Sequence, residues 1–155
     1  MNVAEKPVAN ELVMTRDIAA PRERVFAAWT DARQASRWWA PQDCTPLSCE
    51  MDVRPGGAWR RRMRAPDGTV ITKWGVYREV VAPERLVFTY RTERAGIIDS
   101  ETLVTVTFAD LGTRTRLTLR HTAFATAAAR LDHQGGWTGT LERLTTFIAT
   151  EGAAP

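Results

Sequence analysis

Residues 58–80 read AWRRRMRAPDGTVITKWGVYREV. Side chains of an extended strand alternate between two faces. From Ala58 onward, Trp59, Arg61 and Met63 therefore share one face, and Arg60, Arg62 and Arg64 share the other. Pro66-Asp67-Gly68 supplies a turn, with proline presetting φ and glycine accepting the tight backbone. In the strand that follows, Trp74, Val76, Arg78 and Val80 alternate with Lys73, Gly75, Tyr77 and Glu79. Two period-two segments joined by a short turn pair as antiparallel neighbours.

The same pattern continues in both directions. Turn signals recur at Arg54-Pro55-Gly56-Gly57, Ala82-Pro83-Glu84 and Leu111-Gly112-Thr113. Strands follow at Leu86/Phe88/Tyr90, Val104/Val106/Phe108 and Leu117/Leu119/His121. Near the N-terminus, Leu12–Ile18 alternates as a strand. Pro21 then opens a helix that carries Val25, Phe26 and Trp29 on one side. Asp31 caps a second short helix that reaches Trp38-Trp39 and stops before Pro41. At the C-terminus the period becomes helical: Trp137, Leu141, Leu144 and Ile148 line one face, with Thr138, Glu142, Arg143 and Thr146 opposite. Asp132 to Gly136 interrupts or starts that helix, and Gly135-Gly136 marks either a kink or a close backbone approach. The expected fold class is α+β: a curved antiparallel sheet of about seven strands around a long C-terminal helix, with two short helices after the first strand.

With 155 residues, 44% of them apolar and 25% charged, the chain fits one globular domain. That domain is expected over residues 11–150, with 1–10 and 151–155 as loose ends. No stretch is long and apolar enough to span a membrane, and the N-terminus lacks a signal-like apolar core. Nineteen Arg and two Lys against 18 acids leave a net charge of +3. That excess is small for a nucleic-acid binder, and Arg60, Arg62 and Arg64 read as a solvated strand face. Cys44 and Cys49, on opposite faces of one strand, are expected as free thiols, which fits a cytoplasmic location. Besides them only His121 and His133 are available, so neither a metal site nor a cofactor is expected.

The chain resembles the activator of heat-shock-protein-90 ATPase homologue branch of the START-like, or birch-pollen-allergen-like, helix-grip superfamily. The resembling segments run in order from Ala20-Pro21 and Val25–Trp29 through Trp38-Trp39-Ala40-Pro41 and Val53–Trp59. They continue through Gly75–Glu79, Pro83–Tyr90 and Leu117–His121 to Gly136-Trp137 and Leu141–Leu144. The resemblance implies the fold already read from the residues. It also implies a range of roles: binder of apolar small molecules, aromatic cyclase or hydrolase, or chaperone-regulating interaction domain.

Six Trp, at 29, 38, 39, 59, 74 and 137, are a heavy load for a domain of this size. Trp29 and Trp38 are assigned to helix packing. The expected site is a cavity between sheet and long helix that takes a hydrophobic or aromatic small molecule. Trp39, Trp59, Arg61, Met63, Trp74, Phe88, Tyr90, His121, Trp137 and Leu141 are expected to line it. Arg61 is the sharpest of these, because a buried guanidinium needs an anionic or polar partner: an internal acid, or a ligand group. An enzyme on the same cavity would draw its acid–base groups from His121, His133, Glu50 and Asp99. Pairing of sheet edges into a homodimer is left open.

Overall fold

A computed structural model describes residues 11–150; segments 1–10 and 151–155, expected as loose ends, lie outside the described residues. Strand β1 (Leu12–Ile18) is followed by helices α1 (Arg22–Thr30) and α2 (Ala32–Trp38). Six strands follow: β2 (Thr45–Met51), β3 (Ala58–Arg64), β4 (Val70–Val81), β5 (Arg85–Arg94), the two-residue β6 (Ile97–Ile98) and β7 (Thr102–Asp110). Strand β8 (Thr115–Thr122) and helix α3 (Ala127–Thr150) complete the chain. The strands pair antiparallel in the order β1-β8-β7-β5-β4-β3-β2, with β6 added to β5. The expected sheet of about seven strands is thus a seven-strand path plus one short accessory strand. Among the described residues no helix is long and apolar enough to cross a membrane.

Alternation on β1, β3, β7 and β8 follows the reading from sequence. Leu12, Met14 and Ile18, then Trp59, Arg61 and Met63, then Val104, Val106 and Phe108, then Leu117, Leu119 and His121 are all buried. Asp31 accepts the Arg33 backbone N–H at 3.1 Å and caps α2. Pro21 stands one residue outside α1, at its N-cap, rather than inside the first turn. Trp137, Leu141, Leu144 and Ile148 form the buried face of α3.

Strand β4 departs from the reading. Its inward residues near the turn are Ile71, Gly75 and Tyr77, while Val76 is exposed and Trp74 is half-buried on the outer face opposite Arg60 and Arg91. A register shift between Tyr77 and Glu79 then changes the phase, so Val80 packs on the core. An unbroken period of two would put Trp74, Val76 and Val80 on one face; the register shift separates Val80 from the other two.

At position 75 only glycine fits on the inward face. The Trp59 indole N–H crosses beneath β4 and donates to the Thr89 carbonyl at 3.1 Å. A Cβ on Gly75 would stand 1.8 Å from that carbonyl oxygen and 2.8 Å from the indole nitrogen. Gly75→Ala should therefore lower the unfolding free energy by about 3 kcal/mol. Val76→Ala, on the exposed face next to it, should change it by well under about 1 kcal/mol. Urea unfolding of the two variants checks this, and equal losses would contradict the close approach.

Candidate functional site

Helix α3 runs unbroken through Gly135 and Gly136. Neither expected reading, kink or close backbone approach, holds at these two glycines: a Cβ on Gly135 would meet nothing within 4 Å, and the close approach comes one turn later, at Gly139. A Cβ on Gly136 would meet Pro41 Cγ at 3.6 Å, and one on Gly139 would meet the Gln42 backbone nitrogen at 2.9 Å. Arg143, on the polar face of α3, donates to the carbonyls of Gln42 at 2.9 Å and Cys44 at 3.0 Å. The segment after α2 is thereby fastened along α3, and it carries Trp39 inward.

That fastening shapes a cavity of about 350 Å³ between sheet and α3. The rings of Trp39, Tyr90 and Trp137 wall it, and Met63 and Ile71 come from the sheet. Trp39 and Trp137 meet edge to face with centroids 5.4 Å apart. Polar groups at the cavity are Lys73, Arg94, Asp43, Asp132, His133 and Thr140. The Lys73 amine lies 5.0 Å from the Tyr90 ring centroid and donates to Thr92 Oγ1 at 3.4 Å. Arg94 is already paired with Asp67 at 3.6 Å. A smaller cavity of about 180 Å³, lined by Asp99, Thr102, Phe124 and Thr126 among others, shares Tyr90 and His133 with the first.

Four of the ten expected residues, Trp39, Met63, Tyr90 and Trp137, line the main cavity. Trp59, Phe88 and Leu141 are core: Trp59 and Phe88 pack ring on ring at 5.6 Å, and Leu141 is 1% exposed. Trp74 is on the far side of the sheet, for the reason of register given above. An unbroken period of two puts Lys73 and Ile71 on the β4 face opposite Trp74, yet both line the cavity. Cys44, expected on β2, precedes it and lines the main cavity, while Cys49 lines a separate one. Both thiols are free. Burial pushes both above the ordinary thiol value, which leaves neither activated as a nucleophile. Among the described residues no group of three or more His, Cys, Asp or Glu side chains is placed to hold a metal ion.

His121 is fully buried in a closed hydrogen-bond chain. The Trp137 indole N–H, which can only donate, gives its hydrogen to His121 Nδ1 at 3.0 Å. The proton of the neutral ring therefore sits on Nε2 and is donated to Thr102 Oγ1 at 2.7 Å. The Thr102 hydroxyl in turn donates to the Tyr90 carbonyl at 2.7 Å. Every polar atom of His121 is occupied, so it orients Trp137 and Thr102 and has no free lone pair for a ligand. His133 differs. Its Nδ1–H donates to the Ala129 carbonyl at 2.9 Å, which leaves Nε2 as an acceptor on a residue that lines both cavities. Of the other acid–base candidates, Asp99 lines the smaller cavity and Glu50 is exposed.

Arg61 is interior, at 2% exposed, but it lies on the other side of Trp39 from the main cavity. Its guanidinium carbon stands 3.4 Å over the Trp39 ring and 5.4 Å from the Trp59 ring centroid. The terminal nitrogens reach Met51 Sδ at 2.9 Å and Cys49 Sγ at 3.6 Å, and Nε has no partner. Among the described residues no carboxylate pairs with it. Desolvation pulls its pKa below the ordinary guanidinium value, yet arginine stays charged in proteins. Stacking on an aromatic face returns about 0.5–2 kcal/mol. Desolvating an ion costs several kcal/mol. Surface arginines, by contrast, find acids: Arg116 pairs with Asp17 at 2.9 Å, and Arg120 with Glu11.

Both imidazoles are held below the ordinary value of 6.5, His121 far below it, chiefly by burial and then by neighbouring positive charge. The unfolded chain takes up protons below about pH 6.5 that the folded chain refuses, so stability falls with pH there. Denaturant titrations should show stability nearly flat above pH 7 and falling as pH drops below 6.5, with the His121 contribution approaching about 1.4 kcal/mol per pH unit. His121→Gln should remove part of that slope; an unchanged slope would contradict the neutral, fully bonded ring.

A family model described as activator of Hsp90 ATPase homolog 1-like protein matches residues 19–149. Solved structures share the architecture. A Chromobacterium violaceum protein is 28% identical over 93% of this chain and 100% of its own, with a TM-score of 0.81. An Arthrobacter aurescens protein is 27% identical, covering 94% and 90%, with a TM-score of 0.80. The protein of Silicibacter pomeroyi named AHSA1 is 25% identical, covering 91% and 99%, with a TM-score of 0.81. No curated protein matches the chain. With its sheet gripping a C-terminal helix and the family model spanning nearly all described residues, the chain belongs to the activator of Hsp90 ATPase homolog 1-like family.

Proposed function

We propose that this protein binds a small, flat, mostly apolar molecule in the cavity between sheet and α3, with Lys73 holding a polar or acidic group of that molecule. The observation that carries this reading is the cavity itself. Three aromatic rings from three separate elements, Trp39, Tyr90 and Trp137, surround about 350 Å³, and an amine sits beside one of them. That volume falls at the lower end of the range for small-molecule sites. Filled core elsewhere makes the space more informative: Trp29, Trp38 and Trp59 are packed to 2% exposure or less without lining it.

A bicyclic aromatic burying about 200 Å² gains roughly 5 kcal/mol from apolar contact at about 25 cal/mol per Å². That corresponds to a Kd of roughly 0.2 mM, and a charge pair with Lys73 should tighten it about tenfold. Intrinsic Trp fluorescence is the readout, because two of the wall residues are indoles. Titration with 2-naphthoate should give saturable quenching, tighter than with neutral 2-acetylnaphthalene. Lys73→Met should weaken 2-naphthoate about tenfold and leave 2-acetylnaphthalene unchanged. Absence of saturable quenching by either compound would sink the binding reading. Equal affinities unaffected by Lys73→Met would sink the role of the amine.

A further inference from the structure

Beyond the sheet–helix cavity, the uncompensated charge of Arg61 points to a second site. A separate cavity of about 240 Å³ is lined by Ser36 and Trp39 from the α2 side, by Pro46, Leu47, Ser48 and Cys49 from β2, and by Arg61. Two of its lining residues carry buried polar atoms without partners, Arg61 Nε and Ser48 Oγ. Arg61 is 2% exposed, and its neighbours supply thiol, thioether and aromatic groups and the Tyr77 hydroxyl, but among the described residues no carboxylate. Burial holds Cys49 and Tyr77 towards their neutral forms, so neither serves as its counter-ion. We infer that this cavity is a binding site for a small carboxylate, held by the Arg61 guanidinium with the Ser48 hydroxyl as a further donor.

The geometry suits a carboxylate. With its face against the Trp39 indole, the guanidinium can donate only in its own plane. A planar carboxylate accepts two parallel N–H bonds from such a fork. The site is independent of the one proposed above: the two cavities share the Trp39 wall, but Lys73 belongs to one and Arg61 to the other.

Thermal unfolding in sodium acetate against sodium chloride at equal ionic strength tests the inference, with acetate small enough for the space. In wild type, 50 mM acetate should raise Tm by about 3–5 °C. Arg61→Met, similar in length and uncharged, should abolish the rise, while Lys73→Met should keep it. Should Arg61→Met fail to fold, Ser48→Val retains the cation while removing a donor and narrowing the cavity, and it too should lose the rise. A wild-type Tm indifferent to acetate overturns the site, as does a full rise in either Arg61→Met or Ser48→Val. A rise lost only in Lys73→Met would also overturn it, by placing acetate in the sheet–helix cavity.

Discussion

The indole of Trp39 carries the Arg61 guanidinium at 3.4 Å on one side. Elsewhere around its rim it meets Trp29 at 5.1 Å, Trp137 at 5.4 Å and Trp59 at 6.0 Å. Aromatic pairs of this kind add about 0.5–1.5 kcal/mol each beyond area burial. Together they hold one side chain rigidly at the meeting point of α2, the sheet and α3. Both cavities use it as a wall, so its position determines whether either space exists. A wall fixed before a ligand arrives loses little freedom on binding, which is the advantage of a preorganised site.

What fixes Trp39 lies mostly outside its own side chain. It stands just past the end of α2, where the chain must turn before Pro41. From there the backbone is laid against the small residues Gly136 and Gly139 and held by two bonds from Arg143. At the other end of the cavity, the His121 chain from Trp137 to the Tyr90 carbonyl fixes two more wall residues through one neutral ring. Polar bonds buried this completely give a unique arrangement, and they remove His121 from any chemistry a ligand could undergo.

Most of this architecture was legible in the residues. Alternation on β1, β3, β7 and β8 and the helical spacing of Trp137, Leu141, Leu144 and Ile148 were readable because each element keeps one period and one buried face. Arg61 was readable as interior because Trp59 and Met63 flank it. β4 was not, since its register shift makes two phases look like one, which misplaced Trp74 and concealed Lys73. His121 was legible as buried, but its saturation by Trp137 and Thr102 depends on groups far away in the chain. Likewise nothing local shows that Trp39 faces two cavities at once, or that Arg143 turns back to the loop carbonyls. Those features are set by tertiary packing, where a residue's neighbours are not its neighbours in sequence.

The proposed function is ligand binding against the aromatic wall between sheet and α3. Fluorine NMR of protein labelled with 5-fluorotryptophan tests it most directly, with the six resonances assigned from single Trp→Phe variants. On addition of 2-naphthoate, the Trp39 and Trp137 resonances should shift together and saturably, with Trp74 on the outer face unmoved. A shift confined to Trp74, or six resonances that stay in place at millimolar ligand, would contradict binding in that cavity.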